Sequence, residues 1–134
     1  MKILESVSFI IKAHPNGIVE AYMKPDWDQP DTIEVAVDLG LKLKEAVGNN
    51  VCGIMIYAPT LHVKKENLEA IVSIDIGHIA NAIIVNSAGS TILANFILKF
   101  AKNSIIKKVF TKKEKAEEWL LEQIELAKQK QNNS

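Results

Sequence analysis

The sequence of 134 residues has no arginine, one cysteine and no long apolar run, and each absence excludes a class of protein. Arginine most often reads phosphate and guanine through paired hydrogen bonds, so we expect no nucleic-acid partner. Cys52 cannot form an internal disulfide, and its apolar surroundings predict a buried structural thiol. No apolar segment reaches the roughly 18 residues of a membrane span, and the N-terminal segment lacks a cleavage site, so we expect a cytoplasmic protein without a membrane span.

Charge is balanced in number but not in position. The chain has 16 lysines and 16 acidic residues, and the acidic residues predominate before position 99 whereas the lysines predominate after it. The lysine-rich segment 99–115 could attract an acidic partner or nucleic acid. The alternative is an ordinary solvated face, because Lys99 and Lys102 fall where a helix ends and the other lysines alternate with apolar residues.

An antiparallel hairpin is predicted near the N-terminus. Val7 to Lys12 and Gly17 to Lys24 both resemble strands, and the turn residues of Ala13 to Gly17 lie between them. A helix is predicted next, with Asp31 as its N-cap and Gly48 in its stop signal. The alternating stretch VAVDLGLKL also fits a strand, but two flanking caps favour the helix.

The predicted first helix carries more apolar surface than one sheet face can bury. One stripe is predicted to cover the sheet, and it contains Ile33, Ala36, Val37, Gly40, Leu41 and Val47. A second row consists of Val35, Leu39 and Leu43, and together the rows span an arc of roughly 240°. We therefore predict a symmetric homodimer with this second row at its interface.

The second half of the chain alternates between predicted strands and helices. The predicted strands are Val51 to Tyr57, Ala82 to Val85 and Ile105 to Phe110. The predicted helices are Lys64 to about His78, the stretch ILANFILKF, and a last helix that begins at the capping box Thr111 to Glu114. The order β-β-α-β-α-β-α-β-α predicts a single α/β domain over 1–134, with a mixed sheet of about five strands and about four helices. We expect a disordered tail over 128–134.

Three segments, ANAIIVNSAGSTILANFILKF, VFTKKEKAEEWL and GIVEAYMKP, resemble bacterial proteins of the STAS/SpoIIAA-like family. The resemblance implies the fold of anti-sigma-factor antagonists and a non-enzymatic protein-binding or regulatory module. It also allows the alternative of a carrier that holds a small apolar or anionic ligand between sheet and helices. In the antagonists a phosphorylated Ser follows an Asp after the central strand. Here neither is present, and Thr60 is the only nearby hydroxyl that phosphorylation could use.

The junction from Asn86 to Thr91 is the one turn with a physical reason to bind a ligand. Free N–H groups and the positive end of a helix dipole gather there, so an anion could be held by Asn86, Ser87, Gly89, Ser90 and Thr91. The alternative is that these residues cap the helix. No base is coupled to a serine or to Cys52, so we expect no catalytic residues, no metal and no cofactor.

Overall fold

The computed structural model describes residues 1–24, 33–57, 76–85 and 105–132, which form one mixed sheet with a helix on each face. The strands are β1 (Lys2–Glu5), β2 (Phe9–Ala13), β3 (Ile18–Met23), β4 (Gly53–Tyr57), β5 (Ala80–Ile84) and β6 (Ile106–Phe110). The helices in the described part are α1 (Ile33–Val47) and α2 (Lys113–Asn132). The predicted α/β class with a mixed sheet is confirmed.

The strands lie side by side in their order along the chain. β2 is antiparallel to both of its neighbours, β1 and β3, whereas β3, β4, β5 and β6 are parallel. The sheet has six strands because Lys2–Glu5 pairs with β2, and the predicted number of about five omitted this strand. β3 is therefore the strand at which the antiparallel half of the sheet meets the parallel half.

The turn between β2 and β3 is a short hairpin connection. The His14 N–H donates to the Ile18 carbonyl at 2.9 Å, and Asn16 Oδ1 accepts from the Ile18 N–H at 3.0 Å. Gly17 has a φ of 95°, a left-handed conformation that side chains disfavour. The turn predicted from Ala13 to Gly17 is thus confirmed, and it fixes the position of His14 beside β3.

α1 is a helix, as its flanking caps favoured, and it ends where Gly48 adopts a φ of 58°. Its buried row contains Leu39 and Leu43, which are 1% and 2% exposed and pack against β2, β3 and β4. Val37 and Leu41 point to solvent and are 55% and 63% exposed. The predicted dimer interface is therefore wrong for Leu39 and Leu43, because these side chains fill the core under the helix.

α2 covers the opposite face of the sheet. Ala116, Leu120 and Ile124 recur every four residues and are buried against the strands. A Cβ on Gly53 would lie 2.7 Å from Leu120 Cδ2, so the glycine lets α2 approach β4 closely. The helix continues to Asn132, which corrects the predicted disordered tail over 128–132. No described helix is long and apolar enough to cross a membrane.

Several predictions fall on residues that the structure does not describe. They are the helix stretch 64–75, the phosphorylation candidate Thr60, the anion-binding junction Asn86, Ser87, Gly89, Ser90 and Thr91, the helix after it, and the side chain of Val35. The predicted helix over Lys64 to His78 is wrong at its end. Residues 76–78 are not helical, and Gly77 has a φ of 84°.

Candidate functional site

Glu20 is a buried carboxylate in the middle of β3. Strand alternation places Val19 and Ala21 on the face covered by α1, so Glu20 lies on the face covered by α2. Its side chain is 7% exposed. A charge removed from water to this extent must be compensated by hydrogen bonds or an opposite charge.

Two tyrosines supply part of that compensation. Tyr22 lies two residues along β3, and Tyr57 is its register partner at the end of β4. Their rings stack with centroids 4.2 Å apart and an angle of 10° between planes. The Tyr22 hydroxyl donates to Glu20 Oε2, and the Tyr57 hydroxyl donates to the same oxygen at 3.0 Å. The stacked pair thus presents both phenol groups to one carboxylate oxygen.

Two basic side chains complete the network from other elements. His14 Nε2, at the hairpin turn, contacts the second carboxylate oxygen, Oε1. Lys113 Nζ, at the first residue of α2, lies 3.7 Å from Glu20 Oε2. The side chains of His14 and Lys113 are 30% and 46% exposed, so both reach the surface. Lys12 adds a further cation, with Nζ 5.2 Å from the centre of the Tyr22 ring.

The network holds Glu20 in its ionised form. Burial alone would raise the pKa of the Glu20 carboxyl, but hydrogen bonds from Tyr22, His14 and Tyr57 and the charge of Lys113 together lower this pKa. Burial and the Glu20 carboxylate raise the pKa of Tyr22, and burial with hydrogen bonds to Tyr22 and Glu20 raises that of Tyr57. Burial acts to lower the pKa of Lys113, but the nearby carboxylate raises it. At neutral pH the site therefore contains one carboxylate, two neutral phenols and an ammonium group.

Tyr22, Tyr57 and Lys113 lie near the edge of the sheet where the parallel strands end, whereas His14 lies beside the start of β3. Tyr22, Tyr57, Ile84 and Phe110 form one row across β3 to β6, and α2 begins three residues after Phe110. In open α/β sheets, ligands bind outside the carboxyl ends of the strands, where the connections allow access. This position, together with the pKa shifts, marks the Glu20 network as the candidate site among the described residues.

Among the described elements, none covers the whole sheet face beside the network. α2 packs against β3 to β6, and the same face continues over β2 and β1. Ile10 and Lys12 on this face are partly exposed, and Ile3 is 56% exposed. A partner can therefore reach Lys12, His14, Tyr22 and Lys113 from solvent. We name these four residues the basic rim.

The described part of the chain contains no group of three His, Cys, Asp or Glu side chains able to hold a metal ion. Cys52 is 2% exposed, and burial raises the pKa of its thiol to about 11, so it is a poor nucleophile. Both tyrosine hydroxyls of the network donate to Glu20. The arrangement is suited to holding charge in place, with a buried anion inside and cations at the surface.

A family comparison bears on the second half of the chain. Residues 54–124, more than half of the 134 residues, match the family described as a domain of unknown function (DUF7793). The chain belongs to the DUF7793 family. Searches of curated proteins and of solved structures gave no match. The DUF7793 match contains Tyr57 and Lys113, whereas His14, Glu20 and Tyr22 precede it.

The Glu20 network is not predicted by any local pattern in the sequence. The available signal was a single acidic residue inside the strand IVEAYM, whose other members before Met23 are apolar or aromatic. Such a residue is either at the surface or compensated in the interior, and the sequence cannot say by which partners. Of the network, only Lys113 belongs to a segment with a predicted binding role, the lysine-rich segment 99–115. The structure brings that lysine together with residues from β2, β3 and β4.

Proposed function

We propose that this chain is a non-catalytic binding module of the STAS/SpoIIAA-like type, and that it recognises an acidic group on a partner protein through the basic rim. The observation that carries the proposal is the separation of charge within the Glu20 network. The carboxylate is 7% exposed, whereas Lys113 and His14 are 46% and 30% exposed. A partner therefore meets the Lys113 ammonium group, which also pairs with Glu117 at 3.7 Å, together with the His14 imidazole and phenol rings, while the Glu20 carboxylate lies beneath them.

The buried carboxylate gives the rim its order. Lysine side chains on a free surface lose considerable rotamer entropy when they bind, which weakens recognition. Here Glu20 restrains Lys113 and His14 before any partner arrives, and the Tyr22 ring restrains Lys12. A rim restrained in this way favours a carboxylate or phosphate group at a defined position.

The open face favours a protein segment over an enclosed small molecule. Sites for small ligands are concave and bury about 70–90% of the ligand surface. The rim instead lies beside an exposed strip of sheet that includes Ile3 and Ile10, which suits a polypeptide with apolar and acidic residues. The resemblance to anti-sigma-factor antagonists supports a regulatory role for such binding. The alternative function is a carrier of a small anion, and the test must distinguish it from a protein-binding module.

The test is an NMR titration of the protein with three probes: ten-residue peptides that contain one to three acidic residues, inorganic phosphate, and acetate. The variant is Lys113→Gln, and the matched control is Lys115→Gln. Both lysines lie in the first turn of α2, but Lys115 Nζ is 3.7 Å from the exposed Glu118 and does not belong to the rim. We expect peptide-induced shifts at Lys12, His14 and Tyr22 that Lys113→Gln weakens by about fivefold or more, as loss of one charge-assisted contact implies.

The results of the titration distinguish a protein-binding module from a carrier of a small anion. Shifts spread evenly over all exposed lysines, or equal losses in the two variants, would overturn the proposal. Phosphate or acetate that binds the rim as tightly as the best peptide would overturn the protein partner and favour the small-anion carrier. Native mass spectrometry of protein purified from cells adds a second readout, because a retained small molecule also favours the carrier.

A further inference from the structure

β1 is an edge strand whose outward backbone groups can be assigned from the register. The Ser6 N–H donates to the Phe9 carbonyl at 2.9 Å, and these residues continue the β1–β2 register. In an antiparallel pair, hydrogen-bonded and non-hydrogen-bonded positions alternate. The N–H and C=O groups of Leu4 therefore point towards β2, and those of Ile3 and Glu5 point away from the sheet.

The free edge stops at Val7. Val7 lies in the turn after β1, and its N–H donates to Asp38 Oδ2 of α1 at 2.8 Å. In the described part of β1, the outward N–H and C=O groups of Ile3 and Glu5 have no hydrogen-bond partner of this kind. Ile3 lies at the centre of this free stretch. Ile3 is 56% exposed and Met1 is 69% exposed, so apolar side chains accompany the free backbone. An edge of this kind is a template for another strand.

We infer that a second copy of the chain occupies this edge, with the two β1 strands antiparallel about a two-fold axis at Ile3. This register places Ile3 opposite Ile3 of the other copy and Glu5 opposite Met1 of the other copy. Facing residues then lie on the same sheet face, as antiparallel pairing requires. Outward N–H groups meet outward C=O groups on both sides of the axis, and the two sheets join into one of twelve described strands.

The charges on α1 favour a copy of the chain as the occupant. Lys2 Nζ lies 3.3 Å from the Glu45 carbonyl, which places Lys2 beside the end of α1, and Val7 lies beside Asp38. The axis at Ile3 therefore passes near residues 43 and 44 of the helix.

Asp38, Lys42 and Glu45 share the helix side next to β1 because they are spaced four and three residues apart. When the helix is reversed by the two-fold axis, Lys42 of one copy comes opposite Glu45 of the other. The same symmetry repeats this contact, so the edge is complementary to itself in charge as well as in hydrogen bonding.

The test compares Ile3→Lys with Ile106→Lys by sedimentation equilibrium. Both isoleucines are 56% exposed, and they lie on β1 and β6, the opposite edges of the sheet. Because β1 is a strand of only four residues, we expect weak association and measure from about 10 µM to about 1 mM. We expect wild-type dimers that Ile3→Lys weakens by about tenfold or more, since like charges then face each other across the axis.

Amide hydrogen exchange tests the same interface in the wild-type protein, where no side chain has been changed. In the wild type, the amides of Ile3 and Glu5 become protected as the concentration rises, whereas protection of the Leu4 amide does not depend on concentration. A second variant, Ile3→Pro, removes an outward N–H without touching the pairing with β2, and it also prevents the dimer. A wild type that stays monomeric throughout, or a dimer that Ile106→Lys disrupts and Ile3→Lys does not, overturns the inference.

Discussion

Replacing Glu20 by glutamine tests whether its ionised carboxylate stabilises the site. The amide keeps the shape of the side chain but removes its charge, so the hydrogen bonds from Tyr22, Tyr57 and His14 become neutral ones. A hydrogen bond to a charged group contributes about 1.5–3 kcal/mol and a neutral one about 0.5–1.5 kcal/mol. The loss is thus about 1 kcal/mol for each of three bonds, reduced by the cost of burying the charge, and we expect Glu20→Gln to lower the free energy of unfolding by about 1–3 kcal/mol.

The pH dependence of this loss has a defined sign. The pKa of Glu20 is lowered from its ordinary value of 4.5 in the folded protein, so the unfolded chain binds a proton more readily. The stabilisation is therefore fully present above about pH 4.5, and it is lost as the pH falls through the lower folded pKa. Wild type and Glu20→Gln should differ most near neutral pH, and the difference should shrink in acid.

Urea unfolding between pH 3 and pH 7, followed by circular dichroism, measures both effects. The control is Glu118→Gln, because the Glu118 side chain is 72% exposed and pairs with Lys115 at 3.7 Å. Exposed ion pairs contribute little, so this variant should lose less than about 0.5 kcal/mol. Equal losses in the two variants, or a Glu20→Gln protein whose acid dependence matches that of the wild type, would refute the argument that the network stabilises an ionised Glu20.

Three further changes test other parts of the structure. Leu39→Ala should lower the free energy of unfolding by about 2–5 kcal/mol, whereas Leu41→Ala on the same helix should lower it little, because Leu39 is 1% and Leu41 63% exposed. Urea unfolding measures both losses, and similar losses would contradict the assignment of the helix faces. Cys52 should react with a thiol reagent only after denaturation, since burial raises its pKa to about 11, and rapid labelling of the folded protein would contradict this. Asn81→Leu should leave thermal stability unchanged or increase it, because Asn81 Oδ1 is buried and accepts no hydrogen bond from the described residues; a loss above about 2 kcal/mol would show that the amide has a partner.

Much of the fold could be predicted from local patterns. The hairpin turn, the helix stop at Gly48 and the parallel strands each carry a signal in a few neighbouring residues. The helix face was harder, because α1 carries two apolar rows and the sequence does not show which row meets the sheet. The structure buries Leu39 and Leu43 of one row together with Val47 of the other, and it exposes Val37 and Leu41.

The site could not be predicted because its members come from distant positions. His14, Glu20, Tyr57 and Lys113 lie on a turn, two strands and a helix, and only the register of β3 with β4 and the start of α2 bring them together. No spacing rule connects such residues along the chain. β1 was missed for a related reason, since four residues with two charged ends do not resemble a strand until β2 pairs with them.

The change of strand direction at β3 also orders the steps of folding. β2 and β3 are joined by four residues, so their pairing closes a short loop. About thirty residues separate β3 from β4, so their pairing closes a much longer loop. Closing the longer loop costs more chain entropy, and parallel pairing is slow for that reason. The three-stranded N-terminal meander can therefore assemble while the rest of the chain is still being synthesised. Until β4 pairs with β3, this meander has two free edges, one at β1 and one at β3.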